Sequence, residues 1–454
     1  MRRLFLALTA VSTVLVVAAL GILLVRGDDG GREPAAVAKE ATATPRSTAP
    51  SSGRAVTPTA TPGMSAPTGS ASGPAAHEGQ RAMAIVEELA KEPRVSGTPA
   101  EARAAEYIAG LFRSYGYSTE IMEFEFDGDR FRAGEAFVDG RPIEALTLAG
   151  SPGGEVEAAG AYVGLADAAG IGGRDLSGKV AVADRGELNF SDKYRNVRQA
   201  GAIGLVVVNN RPGPFSGNLT TEAAFPVVGV SQEDGAAVLA AAKAGRPVGI
   251  KAPGTAGLTK ALNVIARPRA DSQCRILVGG HFDSVPGAPG ANDNASGTAN
   301  VLELARATAV DGVDEGLCFA TFGAEESGLY GSKALVERMT KEGALPRYMI
   351  NLDVTGIGDD VEVIGDSDIA TDAIDLAKAL GISAVKSRLP ANSGSDHESF
   401  VNAGVEVVFL TSGDFSTIHS PQDVPTDIEP GMLDQVGDTA LAVINYLLPQ
   451  VAQG

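Results

Sequence analysis

No long run of lysine or arginine occurs anywhere in this sequence. Acidic residues outnumber basic ones, 56 to 37, for a formal net charge of −19. Binding to nucleic acid needs clustered lysine and arginine against phosphate, so that class of partner is excluded. Cysteine is almost as scarce. In an exported chain the two present, Cys274 and Cys318, suit one disulfide rather than a metal cluster. Histidine occurs four times. His77 stands at the edge of a low-complexity stretch, and His281, His397 and His419 fall in the C-terminal half. Between about Gly128 and Gly254 there is none.

What is present is enough for a sizeable core: 454 residues, 44% hydrophobic, a length that allows two or three domains. The first segment, 1–26, is not part of a fold. Met1-Arg2-Arg3 precedes an apolar run from Leu4 to Val25 that only Thr9, Ser12 and Thr13 interrupt. As a helix that run spans about 33 Å, enough for a bilayer core. Two readings stay open, an uncleaved signal anchor and a cleaved signal peptide. No cysteine lies near, which excludes a lipid-modified one. Arg2 and Arg3 keep the N-terminus inside, so the body is extracytoplasmic, either anchored to the membrane through this segment alone or secreted. Residues 27–76 are proline, threonine, serine, alanine and glycine with almost no large apolar side chains, the composition of a disordered stalk.

Folded sequence is expected from His77. Helical spacing covers Arg81–Leu89 and Pro99–Tyr115, and Ser118–Phe126 alternates as a strand with Met122, Phe124 and Phe126 toward the core. These residues, 77–127, form a first part of one domain. Residues 128–255 differ in character. They are rich in glycine and short valine strands such as Val180–Ala183 and Ile203–Val208, and Ser231 to Asp234 opens a helix as a capping box. This stretch resembles a protease-associated domain inserted into its host. From 256 to 454 strands and helices alternate, which predicts an α/β fold with a doubly wound, mostly parallel sheet.

The charged residues of that last region sit where predicted strands end, the place where such sheets collect function. Ile276–Gly280 runs into His281-Phe-Asp283. A loop with Asn292-Asp293-Asn294 enters a helix at Ser296-Gly297. The strand at Leu317 ends in Gly323-Ala-Glu325-Glu326, and that at Tyr348 in Asn351-Leu-Asp353. Ile418-His419 and Asp423 come near the end. A lone histidine or a pair of glutamates is weak evidence. Together these are histidine and carboxylate donors of the kind catalytic zinc prefers.

In their order and spacing these motifs resemble the co-catalytic di-zinc aminopeptidases, a zinc-exopeptidase family whose members include chains with the same inserted domain. The resemblance implies a cofactor of two zinc ions, one on His281, Asp293 and Asp353, the other on Asp293, Glu326 and His419, with Asp293 bridging. It implies Glu325 as the general base. Asp283, two residues beyond His281, is expected to orient that ring. Ser395-Asp396-His397-Glu398 also matches a family segment, with Asp396 expected to steady the loop and His397 to be structural. One position departs from the pattern: many relatives carry tyrosine before the last ligand, and here that residue is Ile418.

The implied activity is removal of N-terminal residues from peptide substrates. A carboxypeptidase or dipeptidase on the same core is the alternative within catalysis, and a non-catalytic, receptor-like binding protein the alternative outside it. No arginine or lysine lies inside the matched motifs, which favours recognition of a substrate amine over a carboxylate. If the strands bearing the two cysteines are neighbours, both sit at matching depth, each seven residues before a site residue, and they form the expected disulfide.

Overall fold

The computed structural model describes residues 76–452, apart from 220–221, 255–256, 310–311 and 390–392. The apolar run from Leu4 to Val25 and the expected stalk lie outside the described residues. Among the described residues no helix is long and apolar enough to cross a membrane.

The core is an eight-stranded sheet. Its strands, in chain order, are β1 (Ser118–Asp127), β2 (Leu258–Arg267), β3 (Ile276–His281), β4 (Leu317–Phe322), β5 (Tyr348–Leu352), β6 (Val361–Ile364), β7 (Ala384–Ser387) and β8 (Glu406–Thr411). In space they run β1-β2-β4-β3-β5-β8-β6-β7. The central strands are buried on both sides, so β3 and β4 are buried at every position rather than at alternate ones. Ile276 and Val278 point into the larger core beneath α1 (Gly79–Leu89), α2 (Pro99–Ser114), α3 (Gly297–Thr308) and the C-terminal helix Pro430–Val451. Leu277 points the other way, with Cys318, Leu335 and Phe400.

The expected mostly parallel sheet needs correction. It is mixed, with four parallel and three antiparallel neighbouring pairs. Two local causes account for much of this. β1 and β2 are the arms of one hairpin, in register from Ser118 opposite Arg267 to Asp127 opposite Leu258, so the chain returns antiparallel beside the strand it left. β5 and β6 are separated by eight residues, 353–360, too few for the helical crossover that parallel neighbours require, so β6 runs against β8.

The segment between the hairpin arms forms a closed seven-stranded barrel, its strands lying between Ala133 and Ala252. Valines from several barrel strands, among them Val180, Val182, Val206 and Val228, fill its core. Ser231 caps the helix Gln232–Lys243 by accepting the Asp234 N–H at 3.0 Å.

Cys274 and Cys318 are joined in a disulfide with Cα atoms 5.4 Å apart. Their strands are neighbours, but the expected matching depth is off by three residues: Cys318 lies opposite Leu277. The cause is the turn at Gly323-Ala324, which carries Glu325 beyond the level of His281, whose own partner across the sheet is Phe322.

Candidate active site

Strands β4, β3 and β5 are adjacent and parallel, so their carboxyl ends emerge at one edge of the sheet. His281 closes β3. Glu325 and Glu326 follow β4 by three and four residues, and Asp353 follows β5 by one. Asp293 comes from the segment Ala291–Ser296 that leads into α3, and His419 from the loop after β8.

These residues meet. His281 Nε2 lies 3.2 Å from Asp293 Oδ1 and 3.3 Å from Asp353 Oδ1. His419 Nε2 lies 3.0 Å from both Asp293 Oδ2 and Glu326 Oε2. The structure thus forms two groups of three donors, His281-Asp293-Asp353 and Asp293-Glu326-His419, each within 4.8 Å. Asp293 offers one oxygen to each. All are buried except His419, whose side chain is 48% exposed at the mouth.

A metal fits this donor set. Ligand atoms about 2.0–2.2 Å from one zinc at tetrahedral angles stand roughly 3.3 Å from each other, close to the separations observed. Glu326 Oε1 and Asp353 Oδ1 are buried with no hydrogen-bond partner, a costly state for an anionic oxygen unless a cation meets it. The charges agree. Burial, reinforced by Glu326, Asp396 and Asp353, pushes Glu325 well above the usual carboxylate range, and burial likewise raises Glu326. Glu326 raises His419. Burial opposes ionisation of His281, but Asp353, Glu325 and other carboxylates carry its pKa well above the ordinary value. Carboxylates here outnumber imidazoles, and the deficit of positive charge is what a divalent cation supplies.

The backbone is bent to make these approaches. Ala324, Leu329, Val354 and His419 all have left-handed φ, between 53° and 60°, beside the residues just named. A β-branched valine in that region is uncommon and is held there by its surroundings. Val354 N–H donates to Asn294 Oδ1 at 3.3 Å, and its carbonyl accepts from Thr411 Oγ1 at 2.8 Å. At Gly323 any Cβ would stand 2.5 Å from the Leu262 carbonyl, so the turn into Glu325 requires glycine.

A family model described as peptidase family M28 matches residues 263–444, and one described as PA domain matches residues 146–238. Aminopeptidase YwaD of Bacillus subtilis (strain 168) is 31% identical over 379 residues, covering 78% of this chain and 80% of that protein. The chain belongs to peptidase family M28. Another relative, "Probable lipoprotein aminopeptidase LpqL" of Mycobacterium tuberculosis (strain ATCC 25618 / H37Rv), is 31% identical over 259 residues, or 54% of this chain and 51% of that protein. Among solved structures, BSAP, a zinc aminopeptidase from Bacillus subtilis, superposes with a TM-score of 0.72 at 28% identity, covering 82% of this chain and 95% of that one.

Within this M28 chain, Asp283 is buried beside the site, with a carboxylate oxygen 3.4 Å from His281 Nδ1. Its carboxylate accepts the backbone N–H groups of Glu325 at 3.1 Å and Glu326 at 3.3 Å, and the Ser96 hydroxyl at 3.1 Å. The nearest hydrogen-bonding partner of His281 Nδ1 is the Asp283 backbone oxygen, at 3.2 Å, with the carboxylate 3.4 Å away. Asp396 is buried beside the site, where burial raises its carboxyl to about 7 against the opposing effects of His281 and the Ser332 hydroxyl. His397 packs its ring on Phe409, 4.9 Å between centroids.

Two important residues escape local reading. Asp423 accepts the N–H groups of Asn292 at 2.6 Å and Asp293 at 3.1 Å, fixing the loop that carries the shared carboxylate. In sequence it stands out only as a carboxylate near His419. Arg94 is 1% exposed and donates to the carbonyls of Leu89, Phe282, Pro289 and Gly290 at 2.6–2.8 Å. It braces the chain between His281 and Asp293, and nothing near it in sequence announces that. The cavity above the site, 580 Å³, is also lined by Arg130 and Lys333, cations that lie outside the matched motifs. Ile418 lines it too, and no tyrosine does among the described residues.

Proposed function

We propose that this M28 chain is a two-zinc aminopeptidase with Glu325 as its general base. The observation that carries the reading is the pair of donor groups sharing Asp293, with Glu325 next to a member of one group but in neither. His281, Asp293 and Asp353 would hold one zinc, and Asp293, Glu326 and His419 the other. When bound, the zinc pair supplies Lewis acidity toward the attacking water and the scissile carbonyl. Glu325 takes the proton from that water and delivers it to the departing amine. Asp283 is a positioning residue, holding the Glu325-Glu326 backbone so that one carboxylate faces the metal and the other the water.

The direction of attack follows from charge. The cavity carries Asp293, Glu325, Glu326, Asp353 and Glu398 against Arg130 and Lys333, a balance on the acidic side that favours a substrate's positive α-amine. The peptidase domain is read as residues 77–127 with 256–454, and the barrel insert as 128–255. The body is read as extracytoplasmic, which the Cys274–Cys318 disulfide supports because such bonds persist in oxidising compartments. The test is cleavage of paired peptides. Acetylating the N-terminus should abolish cleavage of a peptide that is cut when free. Equal rates on the two would sink the aminopeptidase reading and leave a hydrolase of other direction.

A further inference from the structure

The acidic cavity opens beside a groove of 880 Å³ with the opposite charge. Arg130, Arg185 and Arg211 line it from the insert side, and among the described residues no aspartate or glutamate lies on its walls. In a chain with 19 more acidic than basic residues, a surface of that composition is not what average mixing yields. The two cavities share Arg130, Ser393, Phe415, Ile418 and His419, so the groove starts where the reaction site ends.

Arg185 is half-buried, with its guanidinium carbon over the Phe215 ring, 4.7 Å from the centroid, and donates to Asn209 Oδ1 at 3.0 Å. Arg130 reaches Ser216 Oγ at 3.4 Å. These partners are neutral. The Arg185 guanidinium is made less basic by burial and by the neighbouring charge of Arg211, with no carboxylate offsetting either. Two like charges kept together without a counter-charge repel each other, and a bound carboxylate relieves that repulsion while offering two acceptors to the guanidinium fork.

An aminopeptidase has one substrate residue on the amine side of the scissile bond. Everything else in the substrate lies on the leaving side, so a groove continuing from the site can hold only that side. Resting on the aminopeptidase reading, we propose that Arg185 and Arg211, with Arg130 at the junction, form a leaving-side subsite for a carboxylate. The favoured substrates are then short peptides whose free C-terminus reaches the groove, with an acidic side chain at a leaving-side position as the other source of the same group. The two cavities together match a short zwitterionic peptide, amine in the acidic one and carboxylate in the basic one.

The experiment uses the purified full chain with zinc and peptides of two to six residues beginning with leucine, each as free acid and C-terminal amide. At low salt kcat/KM should favour the acid by roughly tenfold at one or more lengths, shrinking at high salt. An amide with glutamate in place of glutamine should recover the advantage if a side chain can supply the carboxylate. Arg185→Ala/Arg211→Ala should bring the acid-to-amide ratio near one. Arg211 is exposed, so Arg211→Glu is a second variant that keeps the fold, and it should drive the ratio below one. A ratio near one at every length in the unaltered enzyme, or a ratio that both variants leave intact, overturns the subsite while leaving the aminopeptidase reading standing. No cleavage of any free-amine peptide overturns both.

Discussion

Replacing Asp283 by asparagine changes one charge and almost no volume, which makes it a sharp probe of how the site is held. The carboxylate is 1% exposed. It receives two backbone N–H groups and a hydroxyl. An asparagine can offer one oxygen to one of those N–H groups, but its NH₂ then faces the other donor. One charge-assisted bond is lost and a buried N–H is left without a partner, together about 2–5 kcal/mol. The displaced groups belong to Glu325 and Glu326, so the cost should appear at the site rather than only in global stability. Loss of a supporting partner of this kind weakens metal binding by about 10–100-fold. Zinc affinity, measured by competition with a calibrated chelator, should fall by that factor, and excess zinc should recover part of kcat but not all, because Glu325 is also displaced. Unchanged zinc affinity together with an unchanged rate would refute the argument that this carboxylate organises the glutamate loop.

His397 is kept neutral, its pKa lowered to about 4 by burial. Unfolded, it takes up a proton near 6.5, so stability present above that pH is lost as pH falls toward 4, by about 3 kcal/mol in all. Between pH 7 and 4.5 the parent should lose stability relative to His397→Phe, which lacks the titrating ring, and melting curves that stay parallel would contradict this. The Cys274–Cys318 bond closes a loop of 44 residues, a constraint on the unfolded chain worth about 4 kcal/mol. Denaturant unfolding with and without reductant should differ by up to that amount, and superimposable curves would mean the bond constrains little.

How much of this was legible in sequence varies with the kind of contact. β4 was readable because Leu317–Phe322 is mostly apolar and bounded by turn residues, and the donors after each strand were readable because doubly buried strands carry their charged residues at their ends. The barrel strands Ala133–Val138 and Arg141–Thr147 are half-exposed and mix small and charged residues, so no clean alternation marks them. The sheet's antiparallel pairs depend on which edge a returning chain joins, which spacing alone does not say. Arg94 and Asp423 act on loops about 190 and 130 residues away, and Arg185 and Arg211 acquire meaning only when the barrel is set beside the site. Ser231 and Asp234, by contrast, sit in a local cap that follows from their spacing.

The central claim is that two zinc ions are held by one set of residues while a neighbouring glutamate moves the proton. Metal content and turnover measured together on three proteins test it most directly. The parent should hold two equivalents of zinc per chain. Glu325→Gln should retain both and lose turnover by a factor on the order of 10²–10⁴, the usual contribution of a positioned general base. Glu326→Ala should lose one equivalent at limiting zinc and regain some activity when zinc is added. One equivalent in the parent, or equal metal loss in the two variants, would contradict the account.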